Sequence, residues 1–267
     1  MTSNMESNSP EVNILRTRDE MGASAAKFVG QKIREFISNQ GTVIINLAAA
    51  PSQNELYKYL LKEDIDWSKV TLVHLDEYDL EPDNPHTHKT FLKKNLVDEA
   101  LKKGLKQENI HFILDEDGIN LTEKIKKYEL KLKKLGQIDI ALIGIGENGH
   151  IALNDPHVAD FDDSEILKIV ELDETSRRQQ LRDFDDKAED YMLLDNVPKT
   201  AATMTIPTIL SSKIISVAVQ GPQKADAVKN SLEGEITPSY PASALRTRPN
   251  VVFFLDRDAA KKLKTTH

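Results

Sequence analysis

Residues 138–156 read Ile-Asp-Ile-Ala-Leu-Ile-Gly-Ile-Gly-Glu-Asn-Gly-His-Ile-Ala-Leu-Asn-Asp-Pro, an apolar run that turns abruptly into glycines, amides, a histidine and a carboxylate. The run Ile138–Ile143 is short and rich in β-branched residues, which suits a parallel strand covered on both faces. Gly144, Gly146 and Gly149 let the backbone that follows bend and approach a ligand closely. A single histidine beside such a turn is ordinarily polar surface. Here Asn148, His150, Asn154 and Asp155 crowd together behind a central-type strand, which reads as a site.

Outward from that strand, apolar runs at 42–47, 70–75, 111–114, 166–170, 214–219 and 251–255 read as further strands. Helical spacing follows the capping pattern Thr17–Glu20, fills 55–61 and about 87–105, and follows Asn120–Glu123 with Leu121, Ile125, Tyr128, Leu132 and Leu135 on one stripe. Helices are also expected at 225–232 and 241–246, whereas 171–183 is polar and carries Arg177, Arg178 and Arg182. This alternation predicts an α/β fold, an open, mostly parallel sheet with helices on both faces, in the manner of a Rossmann-like three-layer sandwich. Residues 1–11 are expected to be a disordered tail, and 12–267 one domain.

Four polar groups, at 48–54, 76–78, 144–155 and 220–224, begin where expected strands end. In an open parallel sheet such positions share one edge, where ligands bind. Ala48–Asn54 offers backbone N–H groups and the Ser52 hydroxyl at a helix start, which suits a phosphate, and Lys224 and Arg177 can supply charge. Asp76 and Glu77 are adjacent, so strand alternation sends them in different directions and one of them meets a substrate. A carboxylate there suits removal of a proton α to a carbonyl, with His150 and Asp155 serving a second transfer; the plainer role for Asp76 is helix capping. His86 and His88 raise the question of a metal, but no third ligand stands near them, so none is expected.

The net charge of −8, with 35 Lys and Arg scattered along the chain, argues against a nucleic-acid partner. The absence of cysteine excludes disulfides and a thiolate nucleophile. No apolar stretch has the length of a membrane span, and the N-terminus has no leader pattern, so no membrane partner and a cytoplasmic location are expected.

The motifs Leu75-Asp-Glu-Tyr78, Gly144–Pro156, Val197-Pro-Lys with Thr205-Ile-Pro207, and Gly221-Pro-Gln-Lys224 resemble the glucosamine-6-phosphate deaminases (isomerases), of one superfamily with the 6-phosphogluconolactonases. The resemblance runs from about residue 12 to 260. It implies conversion of an amino-sugar phosphate and water to fructose 6-phosphate and ammonia without metal or organic cofactor, on a small-molecule sugar phosphate, and is compatible with a homo-oligomer. By it, Asp76 is the base between C2 and C1, and His150 helps open the sugar ring. Asp155 stands where the family usually has Glu, one methylene longer, and Asn148 is a position shared by Asp and Asn. Ser52, Arg177 and Lys224 match the phosphate-binding positions, while Ala48-Ala-Ala-Pro replaces the usual glycine-containing stretch. The alternatives are the galactosamine 6-phosphate epimer, a 6-phosphogluconolactonase, which usually carries Arg where Tyr78 stands, and a non-catalytic sugar-phosphate sensor.

Overall fold

A computed structural model describes residues 10–115, 118–184 and 197–264. In chain order the elements are β1 (Glu11–Leu15), α1 (Arg18–Gln40), β2 (Val43–Leu47), α2 (Asn54–Leu60), β3 (Val70–His74), β4 (Asp76–Tyr78), α3 (His88–Leu92) running through a π-helical turn into α4 (Asp98–Lys102), and α5 (Leu121–Leu135). There follow β5 (Ile140–Ile143), β6 (Leu167–Glu171), α6 (Glu174–Phe184), β7 (Thr200–Met204), α7 (Ile206–Leu210), β8 (Ile214–Val219), α8 (Ala225–Glu233), β9 (Val251–Asp256) and α9 (Arg257–Ala260).

Six strands form a wholly parallel sheet in the order β1-β9-β8-β5-β2-β3. The central strand shows why its sequence is apolar throughout. Ile140 and Leu142 enter the core beneath α1 and α2, while Ala141 and Ile143 enter the core beneath α5 and α8. Strand periodicity thus feeds two cores from one continuous run, and helices cover both faces. From β2 the chain moves outward to β3, then returns to β5 on the other side of β2. This reversal opens the crevice between the C-terminal ends of β2 and β5.

A second, antiparallel sheet, β4-β7-β6, stands at that edge. Leu75 joins the two sheets, donating to the Leu47 carbonyl at 3.1 Å and accepting from Met204 at 2.8 Å. Tyr78, Leu153, Val170, Leu172 and Ala201 give the small sheet its own apolar cluster.

Several expectations are corrected. Residue 11, assigned to the tail, opens β1 and pairs with Val252, while residues 1–9 lie outside the described residues. Asp76–Tyr78 is a separate strand of a second sheet rather than the end of the strand that begins at Val70. Residues 111–114 are not a strand: pairing with β3 is limited to a bridge at Ile110, and the Phe112 N–H turns to the Asp115 carboxylate at 2.8 Å. The segment 241–246 is 3₁₀ helix, from Pro241 to Thr247. β1, α6 and β7 were not anticipated.

Candidate active site

The four strand-end groups converge. Ala48–Ser52, Asp76, Gly144–Glu147, His150, Gln220 and Lys224 line one cavity at the switch point, joined by Arg18, His88, Gln179, Gln180 and Gln223.

On the β4 side, neighbouring carboxylates have opposite fates. Glu77 is fully buried away from the cavity, and its oxygens accept from the backbone N–H groups of Tyr78, His88 and Lys89 at 2.9, 2.8 and 2.8 Å. Burial pushes its carboxyl above the usual value, against the nearby His88 and those N–H donors. It is Glu77, not Asp76, that anchors a helix start. Asp76 faces the cavity, and His88 Nδ1 lies 2.6 Å from its Oδ1 and 3.0 Å from its carbonyl oxygen. A backbone carbonyl only accepts, so Nδ1 carries the proton and donates. Burial opposes charge on His88, yet Asp76 and then Glu77 raise its pKa to about 9. The expectation that adjacent carboxylates diverge and that one meets the cavity holds.

In the loop after β5, Asn148 Nδ2 donates to Asp155 Oδ1 at 2.9 Å and to Asp173 Oδ2 at 2.8 Å, and its Oδ1 accepts the His150 N–H at 3.0 Å. The amide orientation follows, since only its NH₂ end can face two carboxylates. Asn148 therefore shapes the loop through the His150 backbone. His150 Nδ1 sits 3.1 Å from Asp155 Oδ1 without the alignment of a full hydrogen bond, so the shorter carboxylate does reach the ring. Burial would raise the Asp155 carboxyl, but His150, Asn148 and the Asp173 N–H hold it below the ordinary value. The ring needs Gly146, because a Cβ there would lie 2.2 Å from it.

At the opposite end, Ser52 occupies the 3₁₀ turn before α2, held by a 3.2 Å bond from the Gln53 amide. Gly144 gives its hydroxyl room, since a Cβ there would lie 2.8 Å from Ser52 Oγ. Lys224 is buried, and its Nζ donates to Gln179 Oε1 at 3.0 Å. Arg177 does not join them: its Nη2 donates to the Val197 carbonyl at 3.0 Å, and it does not line the cavity. Arg182, also on α6, reaches the lining residue Glu147 at 2.7 Å. Sequence reasoning missed His88, Gln179 and Gln180. His88 is turned to Asp76, so His86 and His88 do not form a ligand grouping among the described residues. Asp155, His157 and Asp173 do approach one another within 4.8 Å, but both carboxylates are engaged by N–H donors.

Residues 16–253 match the model of the glucosamine-6-phosphate isomerases/6-phosphogluconolactonase family. The chain belongs to that family. It is 33% identical to glucosamine-6-phosphate deaminase 1 of Bacillus subtilis (strain 168) over 92% of this chain and 96% of that one. It is 35% identical to a glucosamine-6-phosphate deaminase of Clostridium acetobutylicum, over 92% and 96%. Among solved structures, a monomeric glucosamine-6-phosphate deaminase superposes with a TM-score of 0.82 at 32% identity, covering 94% of this chain and 99% of that one. A 6-phosphogluconolactonase from Thermotoga maritima, at 15% identity and a TM-score of 0.71 over 92% and 99%, shares the fold. No helix among the described residues is long and apolar enough to cross a membrane.

Proposed function

We propose that this protein isomerises and deaminates a hexosamine 6-phosphate, with glucosamine 6-phosphate as substrate, giving fructose 6-phosphate and ammonia. The observation that carries this reading is the convergence of Asp76, His150, Ser52 and Lys224 on one cavity, with Asp155 buried behind His150. Family membership supports the same chemistry.

In this reading Lys224 and Ser52 hold the phosphate, which fixes the far end of the sugar and brings C1 and C2 to Asp76. His150, backed by Asp155, moves the proton needed to open the ring. Asp76 takes the hydrogen from C2 of the open-chain aldehyde as a proton and delivers one to C1. The nitrogen gives up a proton and O1 gains one, leaving a C2 imine. Water adds to C2, and ammonia leaves. Each step is a proton transfer or an addition to carbon, so the residues present supply the groups required.

Ammonia release across a panel of hexosamine 6-phosphates tests the reading, with 6-phosphogluconolactone hydrolysis measured alongside. Glucosamine 6-phosphate is expected to give equimolar ammonia and fructose 6-phosphate. Lactone hydrolysis with no ammonia from any amino sugar would overturn it.

A further inference from the structure

Among the cavity residues with no part in those steps is a second histidine. His88 is 4% exposed and lines the cavity beside Asp76. Its place is fixed from three directions. Its own N–H and that of Lys89 are tied to Glu77, the edge of its ring meets Tyr78 at a centroid distance of 4.6 Å, and Nδ1 holds Asp76. Thr87 caps the helix by accepting the Thr90 N–H at 3.1 Å. The backbone bonds fix where the ring starts, and Tyr78 and Asp76 fix where it ends.

We propose that His88 is a positioning residue for Asp76: its Nδ1–H locks carboxylate oxygen Oδ1, leaving Oδ2 to carry the proton between C2 and C1. This rests on the reading of Asp76 as the base. Oδ2 of Asp76 accepts from no described residue. The other charged and titratable groups around the ring leave the pair intact. Glu77, on the same strand, is spent on backbone N–H groups. His74 on β3 is pushed well below the usual histidine value by burial and by the nearby charges of His88 and Lys89, so it stays neutral and accepts the Ile113 N–H at 2.8 Å. Lys89 turns its Nζ to the Leu114 carbonyl and to Asp115. Tyr57 on α2 donates to the Ala48 carbonyl, and His150 across the cavity is matched with Asp155. With the imidazole titrating at about 9, His88 keeps both ring protons through the neutral range, so Nδ1–H stays a donor to Oδ1.

The test is kcat and KM, measured separately, for ammonia release from glucosamine 6-phosphate by the full chain, its His88→Gln and His88→Phe variants, and Asp76→Asn. His88→Phe is expected to lose about 10-fold or more in kcat with KM nearly unchanged. His88→Gln keeps a donor, so it recovers much of kcat. A kcat for His88→Phe like the parent's, or one for His88→Gln no better than for His88→Phe, would overturn the proposal, and should His88→Phe fail to fold the imidazole titration decides. Imidazole titration followed by ¹⁵N NMR reads the pair without turnover. His88 is expected to titrate near 9 in the parent and well below that in Asp76→Asn; an unchanged titration would overturn it. The two readings separate cleanly. A fully active Asp76→Asn removes the base and this proposal with it, whereas an inactive Asp76→Asn beside parent-like His88 variants removes this proposal alone.

Discussion

Two histidine–carboxylate pairs face the same cavity, and they are built in opposite senses. In one, His88 is pinned at 2.6 Å to Asp76 by a helix start anchored on Glu77. In the other, Asp155 is the pinned member, fully buried and engaged by Asn148 and the Asp173 N–H, while His150 rests on it at 3.1 Å with looser alignment. The partner that is held tightly serves the one that is left available. In the proposed mechanism this suits Asp76 as a base of fixed geometry and His150 as a proton shuttle. The difference between the pairs also follows from the backbone beneath them, a short antiparallel strand under one and a glycine-bearing loop under the other.

The comparison breaks most sharply at Asp76. Asp76→Asn keeps the shape and removes the base, so turnover is expected to fall by about 10²–10⁴ while substrate binding persists, as steady-state kinetics would show. A parent-like rate would move the base elsewhere. Glu77 is a poor substitute, since its oxygens are spent on α3.

Disabling the second pair should cost less. Asp155→Asn is expected to lower kcat by about 10- to 100-fold, because sugar rings also open unaided in water and the step has an uncatalysed route. Gly146→Ala reads the same pair from the backbone, since its Cβ would displace the His150 ring. Its activity loss is expected to match that of a His150→Ala variant, with the melting temperature little changed. A Gly146→Ala enzyme as active as the parent would mean that His150 is not needed where it sits.

At the phosphate end, Lys224→Ala is expected to raise KM by about 10-fold or more with a smaller change in kcat, in keeping with the loss of one charge-assisted bond. Glucosamine without its phosphate should be a very poor substrate. Equal turnover of the two sugars would remove Ser52 and Lys224 from this role.

The smallest effect is on stability. His88 carries a folded-state pKa of about 9, above the ordinary histidine value of about 6.5. Its contribution is therefore fully present below about pH 6.5 and is lost as pH rises through 9. Thermal melts of the parent should fall more between pH 6.5 and 9 than those of His88→Gln; parallel curves would show that the pair adds nothing to the fold.

What was legible in the sequence follows the parallel sheet. The loops after β2, β5 and β8 stand behind apolar strands buried on both faces, so their polar residues announce themselves by contrast. The antiparallel sheet gives no such contrast. β7 is Thr-Ala-Ala-Thr-Met, small residues paired between two short neighbours, and β4 is Asp-Glu-Tyr, too short to show a period. The edge strand β1, Glu-Val-Asn-Ile-Leu, mixes polar and apolar residues because only one neighbour covers it. His88 was hidden because it meets Asp76 across an acidic loop, and beside His86 it was weighed only as a metal ligand and set aside. Only the Thr87 cap, which sets where the helix begins, hinted at the direction of its ring. Arg177 shows the converse error: charge in a polar stretch says little about direction until α6 is known, and that helix turns Gln179 and Gln180 to the cavity instead.

Hydrogen exchange during turnover tests the central claim most directly, because it follows the proton that Asp76 is proposed to move. With the enzyme in heavy water, deuterium is expected at C1 of the fructose 6-phosphate formed, at less than one atom per molecule, since the carboxylate passes part of the original C2 hydrogen across before solvent replaces it. Product with no solvent deuterium at C1, all of it retaining the hydrogen from C2, would contradict a solvent-exchanging carboxylate at Asp76 and point to direct hydride migration.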